Sequence, residues 1–209
     1  MNRMLNMETL CQMSTVLASG LPEARLDELP ADLAEVLIQA KANMNGLPAV
    51  IANMKDALRD CNTLELAIIR LQELAAEAAE LPENDQAGRD EREREFIRLA
   101  GVVAQVAGER GFTGPRLTLK TRPEAQASRR ILRYLGPLKD GLSGNLEETT
   151  RLVLVVIKET MNFLEALTQA YPETAHEHGI SDLLSRTSWI VETLPVEIQA
   201  GMIPPGGLH

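Results

Sequence analysis

The sequence of 209 residues carries 21 Lys and Arg against 30 Asp and Glu, a net charge of −9, and 44% of its residues are hydrophobic. This balance excludes a disordered chain, and an aromatic content of 3% with abundant Leu, Ala, Glu and Arg excludes most all-β folds. No apolar run approaches the roughly 18 to 20 residues that cross a bilayer, so the sequence predicts neither a membrane span nor a secretion signal.

Two helices are predicted in the first part of the chain. The first spans residues 30–45, with Pro30 in its first turn, and the second spans 48–80, with Pro48 in its first turn. Pro82 ends the second helix because its ring would clash with the preceding turn. Along 48–80 the apolar residues alternate steps of three and four, which places them in a seam on one helix face and is typical of a coiled coil or a long bundle helix.

Shorter elements are predicted in the middle of the chain. Apolar side chains at helical spacing predict a helix at 90–108, and a further helix is predicted at 124–135. Between them, residues 111–115 form a predicted turn, and 117–119 could form a short strand. The Gly-rich and Pro-containing stretch 136–144 is predicted as a turn between helices.

The last part of the chain contains a second seam. It predicts a helix at 145–171, which Asn145 caps and Pro172 closes. A short helix follows at 181–194, and residues 203–209 are predicted to be a flexible tail. The predicted fold is all-α: an elongated helical bundle with long antiparallel coiled-coil-like helices, at most one short β-hairpin or strand, and a single domain over residues 1–202. Its rod-like helices are 48–80, 90–108 and 145–171, and its short helices are 30–45, 124–135 and 181–194.

No catalytic, cofactor or metal site is predicted. His176 and His178 are separated by two positions and do not share a helix face, so a loop exposed to solvent is favoured over a metal site. Cys11 and Cys61 have no further cysteine partners and are predicted to be buried thiols. The sequence contains no arrangement of Ser, His and Asp or of Cys and His that indicates a nucleophile, so the chain is predicted not to be an enzyme.

Positive charge concentrates in residues 116–133, whereas both ends of the chain are acidic. Clustered Lys and Arg attract phosphates, but only Tyr134 could stack on a base and the rest of the chain would repel a polyanion. Nucleic acid is therefore not the predicted partner. The segment is instead predicted to pair with acidic helices of its own chain or of a neighbouring copy.

Several short motifs resemble the N-terminal rod region of bacterial flagellins, in the same order. Leu-Ala-Ser-Gly-Leu at 17–21 is similar to the flagellin Leu-Ser-Ser-Gly-Leu. Gly46-Leu47 with 51–56 resembles the series that opens the rod helix, and Arg-Leu-Gln-Glu-Leu-Ala-Ala-Glu-Ala at 70–78 is similar to the flagellin Arg-x-x-Glu-Leu-Ala-x-Gln-Ala. Glu-Phe-x-x-Leu at 95–99 and Phe-Thr-Gly-x-x-Leu at 112–117 complete the resemblance, which covers about half the chain.

The resemblance implies a structural subunit of an extracellular filament, without enzymatic activity, that assembles with copies of itself. The alternative is a cytoplasmic helical adaptor or regulator, associated with a phage or a secretion system, that binds one protein partner. The two cysteines and the low Asn and Ser content favour the alternative. Under either hypothesis the apolar seams are the predicted interaction sites, within one chain or between chains. The predicted interaction residues are Ile51, Met54, Leu58, Leu64, Ile68, Leu71, Val153, Ile157, Leu164 and Leu167.

Overall fold

All regular secondary structure in the described part of the chain is helical. The computed structural model describes residues 2–82, 84–110 and 125–192, and these residues contain no strand. The predicted all-α helical bundle is thereby confirmed. The helices are α1 (Asn2–Gly20), α2 (Ala31–Glu80), α3 (Gln86–Glu109), α4 (Ala125–Ala170), α5 (Pro172–Glu177) and α6 (Ile180–Glu192).

Three predicted features lie outside the described residues: the turn at 111–115, the candidate strand at 117–119 and the tail at 203–209. Half of the basic segment 116–133, residues 116–124, also lies outside them, and the other half is part of α4. The last two residues of the helix predicted at 181–194 also lie outside the described residues, which end at Glu192.

Helix α2 is continuous through Pro48, whereas the sequence predicts two helices that separate before this proline. The reason is the pattern of burial, which keeps steps of three and four residues across the proline without interruption. A proline removes one backbone donor from a helix, but it leaves this apolar stripe intact. The buried residues on both sides of Pro48 are Leu37, Ala40, Met44, Leu47, Ile51, Met54, Leu58 and Cys61.

Helix α4 likewise joins the helices predicted at 124–135 and 145–171, because the predicted turn at 136–144 is helical and Pro137 lies inside it. Leu135 and Leu146 are buried at the two ends of this stretch. Leu138 and Leu142 lie half-buried between them, at the spacing that keeps one face of the helix against the core. Packing of these leucines therefore outweighs the low helix propensity of the glycines and the proline.

The described residues belong to two compact units. Unit 1 comprises Met1–Lys55 with Glu147–His209, and unit 2 comprises Asp56–Leu146. The boundaries fall inside α2 and inside α4. The single domain predicted for residues 1–202 stays a prediction.

In unit 2, parts of α2, α3 and α4 share one apolar core. Helix α3 follows α2 after a short loop, and Asp85 caps it by accepting a hydrogen bond from the backbone N–H of Gly88 at 2.9 Å. The cap explains why α3 begins before residue 90, the predicted start. The core is formed by the buried residues Leu64, Ala67, Leu71, Leu74, Phe96, Leu99, Val103, Val106 and Leu135, with Ile68, Leu132, Leu138 and Leu142 packed against them.

In unit 1, α1 packs against α6. No helix is predicted at residues 2–20, yet Leu10, Met13 and Leu17 of α1 are almost fully buried. Gly20 allows a close approach, because a Cβ atom at this position would overlap the side chain of Leu183. The loop between α1 and α2 is held by Lys41, whose Nζ donates to the carbonyl of Leu21 at 2.8 Å.

The segment around the histidines is a short helix and a turn, where the sequence predicts a solvated loop. Pro172 begins α5 and occupies a position that requires no N–H donor. Gly179 has φ +68°, a conformation that favours glycine, and it links α5 to α6. His178 Nε2 lies 3.6 Å from Oε2 of Glu28, which is in the loop between α1 and α2.

Candidate functional site

The residues predicted to mediate assembly lie inside the single chain. Nine of the ten are buried, and Ile68 is half-buried against the core of unit 2. Leu64 and Leu71 are part of that same core, together with Phe96 and Leu99 of α3. These residues could contact another copy only if the helices separated, so assembly through them stays a prediction.

The large apolar side chains that remain outside the core form a different set. On α2 in unit 2, Leu66 is 69% exposed and Ile69 is 48% exposed, and Ile97 is exposed on α3. In unit 1, Leu152 and Val155 are exposed on α4. Each pair within a helix is spaced by three residues, so both of its side chains lie on one face. These residues are not among the predicted interaction residues, because each of them lies outside the apolar seam of its helix.

Trp189 is the single tryptophan of the chain, and 66% of its surface is exposed on α6. Its neighbours along the helix, Thr187 and Ile190, are buried. An exposed Trp combines a large apolar area with few rotatable bonds, and Trp is enriched among the residues that dominate protein interfaces. Trp189 is therefore a candidate contact for a protein partner.

An ion network joins α2 to α3 beside the core of unit 2. Arg70 Nε and Nη2 donate to the two carboxylate oxygens of Glu95, each at 2.7 Å. Arg70 Nη1 also donates to Glu73 at 2.8 Å and to Glu77 at 2.9 Å, and Arg92 Nε lies 3.1 Å from Glu77. The bidentate pairing fixes the planar guanidinium between the two helices.

These contacts shift two pKa values. The hydrogen bonds from Arg70 lower the pKa of Glu95 below its ordinary value of 4.5. The hydrogen bonds to Glu95, Glu73 and Glu77 raise the pKa of Arg70 above its ordinary value. Both groups are therefore charged at neutral pH, and the arrangement is that of a structural clamp between helices.

We expect Arg70→Gln to lower the free energy of unfolding by about 1 to 2 kcal/mol at pH 7, because partly exposed charge-assisted hydrogen bonds are lost. Since the pKa of Glu95 is lower in the folded chain than in the unfolded chain, the pair stabilises the fold above pH 4.5. That stabilisation is lost as the pH falls through the lowered pKa. Urea unfolding at several pH values should therefore show a difference between the two proteins that shrinks below pH 4.5.

Arg59→Gln is the matched control, because Arg59 is an exposed arginine on the same helix, 3.4 Å from Asp56. Its effect should stay within about 0.5 kcal/mol. A difference for Arg70→Gln that is independent of pH would contradict a role for the Glu95 pair.

A second ion pair lies further along the same helix pair. Arg110 follows α3, and its Nε and Nη2 donate to one carboxylate oxygen of buried Asp60 at 2.8 Å and 2.5 Å. As residue numbers rise along α2, those of the partners fall along α3, from Arg110 through Glu95 to Arg92. The two helices are therefore antiparallel, with their register fixed by charge.

The described residues contain no group of three or more His, Cys, Asp or Glu side chains that could hold a metal ion. None of the described helices has the combination of length and apolar character that a membrane span requires. No family model matches the chain, and neither a curated protein nor a solved structure matches it.

Proposed function

We propose that this chain is a non-enzymatic structural subunit that assembles with further copies of itself, as its resemblance to flagellins implies. The observation that carries the proposal is the division of apolar residues on the long helices. The seam residues of α2 and α4 are buried within one chain, while the pairs Leu66 and Ile69, and Leu152 and Val155, remain exposed. Such pairs are available to another copy without any opening of the fold.

The energetics of apolar burial support the proposal. Complete burial of a Leu or Ile side chain contributes roughly 1.5 to 3 kcal/mol. Each copy in a polymer makes the same contacts with its neighbours, so the contribution of each exposed aliphatic residue that becomes buried is repeated at every contact. The shared core of α2, α3 and α4 supports it further, because a subunit must keep its fold while its outer faces bind.

The first test measures particle size as a function of protein concentration. Light scattering after gel filtration gives the size, and electron microscopy of the concentrated fraction shows the particles. An open series of sizes or filaments is the expected result. A protein that stays monomeric at every concentration would overturn the proposal.

The variant Leu66→Lys/Ile69→Lys is expected to raise the concentration needed for assembly by roughly tenfold or more, because two buried charges would replace apolar contacts. Its helical circular dichroism should match that of the unmodified protein, since both side chains lie outside the core. Light scattering against concentration measures the effect.

Ala49→Lys/Ala52→Lys is the matched control for this variant. Both alanines are exposed on the same helix α2, the spacing of three residues is the same, and the added charge is equal. The control should assemble as the unmodified protein does. Equal loss of assembly in both variants would show that added charge, and not the loss of apolar contacts, is responsible.

A helical adaptor that binds one partner protein is the second candidate. It is favoured by the closure of both seams within one chain, which leaves a fold that needs no second copy to bury its core. The exposed Trp189 would then be the main contact with the partner. A stable monomer or dimer of fixed size would favour this candidate over the structural subunit.

A further inference from the structure

The middle of α4, residues 136–144 and named here the α4 centre, contains residues that weaken a helix. Pro137 lies inside the helix and has no N–H, so it cannot donate to the carbonyl of Arg133, four residues earlier. Ser143 and Gly144 form a pair of the kind at which helices bend. The α4 centre therefore lacks one backbone hydrogen bond and contains a further point at which the helix can bend.

Three glycines in the α4 centre, Gly136, Gly141 and Gly144, are not required by close packing. No atom of the described residues lies within 4 Å of the position that a Cβ would occupy at any of them. Each glycine favours the non-helical backbone about fivefold relative to alanine, and the three together favour it roughly a hundredfold. Their effect on the structure is thus to weaken the helix.

Few contacts hold the α4 centre in place. None of its residues is buried, and Leu138 and Leu142 attach it to the core of unit 2 from half-buried positions. The flanking residues Leu135 and Leu146 are buried, as is Ile157 further along α4. Burial therefore decreases within the α4 centre and returns at both of its ends.

We propose that the α4 centre opens locally in the folded protein: its helical hydrogen bonds break and reform while the core of unit 2 stays intact. In the closed state α4 is continuous, as the structure describes it. In the open state α4 consists of two helices, which correspond to those that local residue preferences predict at 124–135 and 145–171. The inference goes beyond the proposed function, because it does not require copies of this chain to associate.

The core of unit 2 can outlast this opening. Most of its buried residues belong to α2 and α3, and the hydrogen bonds between Arg70 and Glu95 join these two helices without any contribution from α4. From this core, opening removes the contacts of the half-buried Leu138 and Leu142. Segments with few buried contacts open far more often than a whole protein unfolds. The α4 centre therefore meets the conditions for a local opening.

Native-state hydrogen exchange, followed residue by residue with nuclear magnetic resonance on the full chain in dilute solution, tests the inference. It gives a protection factor for each backbone N–H, which is the factor by which structure slows its exchange. The N–H groups of residues 140–144 donate within the α4 centre, whereas those of 67–74 lie in the part of α2 that forms the core. We expect the protection factors of 140–144 to be at least about a hundredfold lower than those of 67–74.

The variant Gly141→Ala is expected to raise the protection factors of residues 140–144 about fivefold, because alanine favours the closed helix and its Cβ has open space. Gly141→Ala/Gly144→Ala should raise them roughly 25-fold. Gly101→Ala is the matched control, because it makes the same substitution at an exposed glycine of α3, in the same unit and with the same open space. It should leave the protection factors of 140–144 within about twofold of those of the unmodified protein.

Two outcomes would overturn the inference. Equal protection of residues 140–144 and 67–74 would mean that the α4 centre opens only when the core of unit 2 unfolds. The same conclusion would follow if Gly101→Ala raised the protection of 140–144 as much as Gly141→Ala does. Neither measurement reads particle size, so a failure of the inference and a failure of the proposed function are detected separately.

Discussion

Replacing Leu71 with alanine is expected to lower the free energy of unfolding by about 2 to 5 kcal/mol. Leu71 of α2 has no exposed surface and belongs to the core that α2 shares with Phe96 of α3 and Leu135 of α4. The substitution removes apolar contacts within the core that α2, α3 and α4 share, and it leaves a cavity that the surrounding side chains fill only partly. Urea unfolding followed by helical circular dichroism measures the change.

Leu66→Ala is a close control, since it is the same substitution on the same helix at a side chain that is 69% exposed. At a protein concentration where the chain is monomeric, this variant should change the free energy of unfolding by no more than about 0.5 kcal/mol. Equal effects at the two positions would mean that α2 is not oriented with Leu71 towards α3 and α4.

Replacing Pro48 with alanine is expected to raise the free energy of unfolding by about 2 kcal/mol. Pro48 lies inside α2 and cannot donate a hydrogen bond to the carbonyl of Met44, four residues earlier. Proline in a helix interior costs about 3 kcal/mol relative to alanine, and its restriction of the unfolded chain offsets up to about 1 kcal/mol of this. Chemical unfolding of the two proteins under the same conditions measures the gain.

The same substitution at Pro82 is the control for Pro48→Ala. Pro82 is exposed and lies two residues beyond Glu80, the end of α2, so its missing N–H removes no hydrogen bond from the helix interior. Pro82→Ala should leave stability unchanged or lower it by up to about 1 kcal/mol. If Pro48→Ala brought no gain, the proline ring would have to contribute packing that offsets the lost hydrogen bond.

The apolar spacing predicted the helices better than the glycines and prolines did. Steps of three and four residues predicted the body of α2, and Pro82 correctly predicted its end after Glu80. At Pro48 and again at 136–144, however, residues of low helix propensity predicted breaks that the structure does not contain. The reason is that propensity is a local preference of a few kcal/mol at most, whereas the buried stripe on each helix gathers apolar contacts along its whole length.

Helix α1 could not be predicted from its residues alone. It contains Ser14 and Thr15, whose hydroxyl groups both donate to the carbonyl of Cys11, and such residues favour helices less than Ala or Leu. Its stability comes from contact with α6, which lies far away in the sequence. A helix whose stability depends on tertiary packing gives only a weak local signal.

The exposed apolar residues of α2 could likewise not be predicted from the sequence alone. Leu64 and Leu66 are the same residue type on the same helix, yet Leu64 is fully buried and Leu66 is 69% exposed. The seam spacing identifies Leu64 as part of an interface, but it is the same for a contact within one chain and for one between chains. Only the positions of α3 and α4 show that the seam is closed internally in unit 2, where Leu66 and Ile69 are the exposed large apolar residues of α2.

The close approach of Gly20 to Leu183 restricts which substitutions these two positions can accept during evolution. A side chain at position 20 and a full-sized leucine at position 183 compete for the same space, so each residue restricts what the other can become. In descendants that keep the packing of α1 on α6, a larger residue at position 20 would have to be accompanied by a smaller one at position 183. Two positions that are far apart in the sequence are therefore expected to change together.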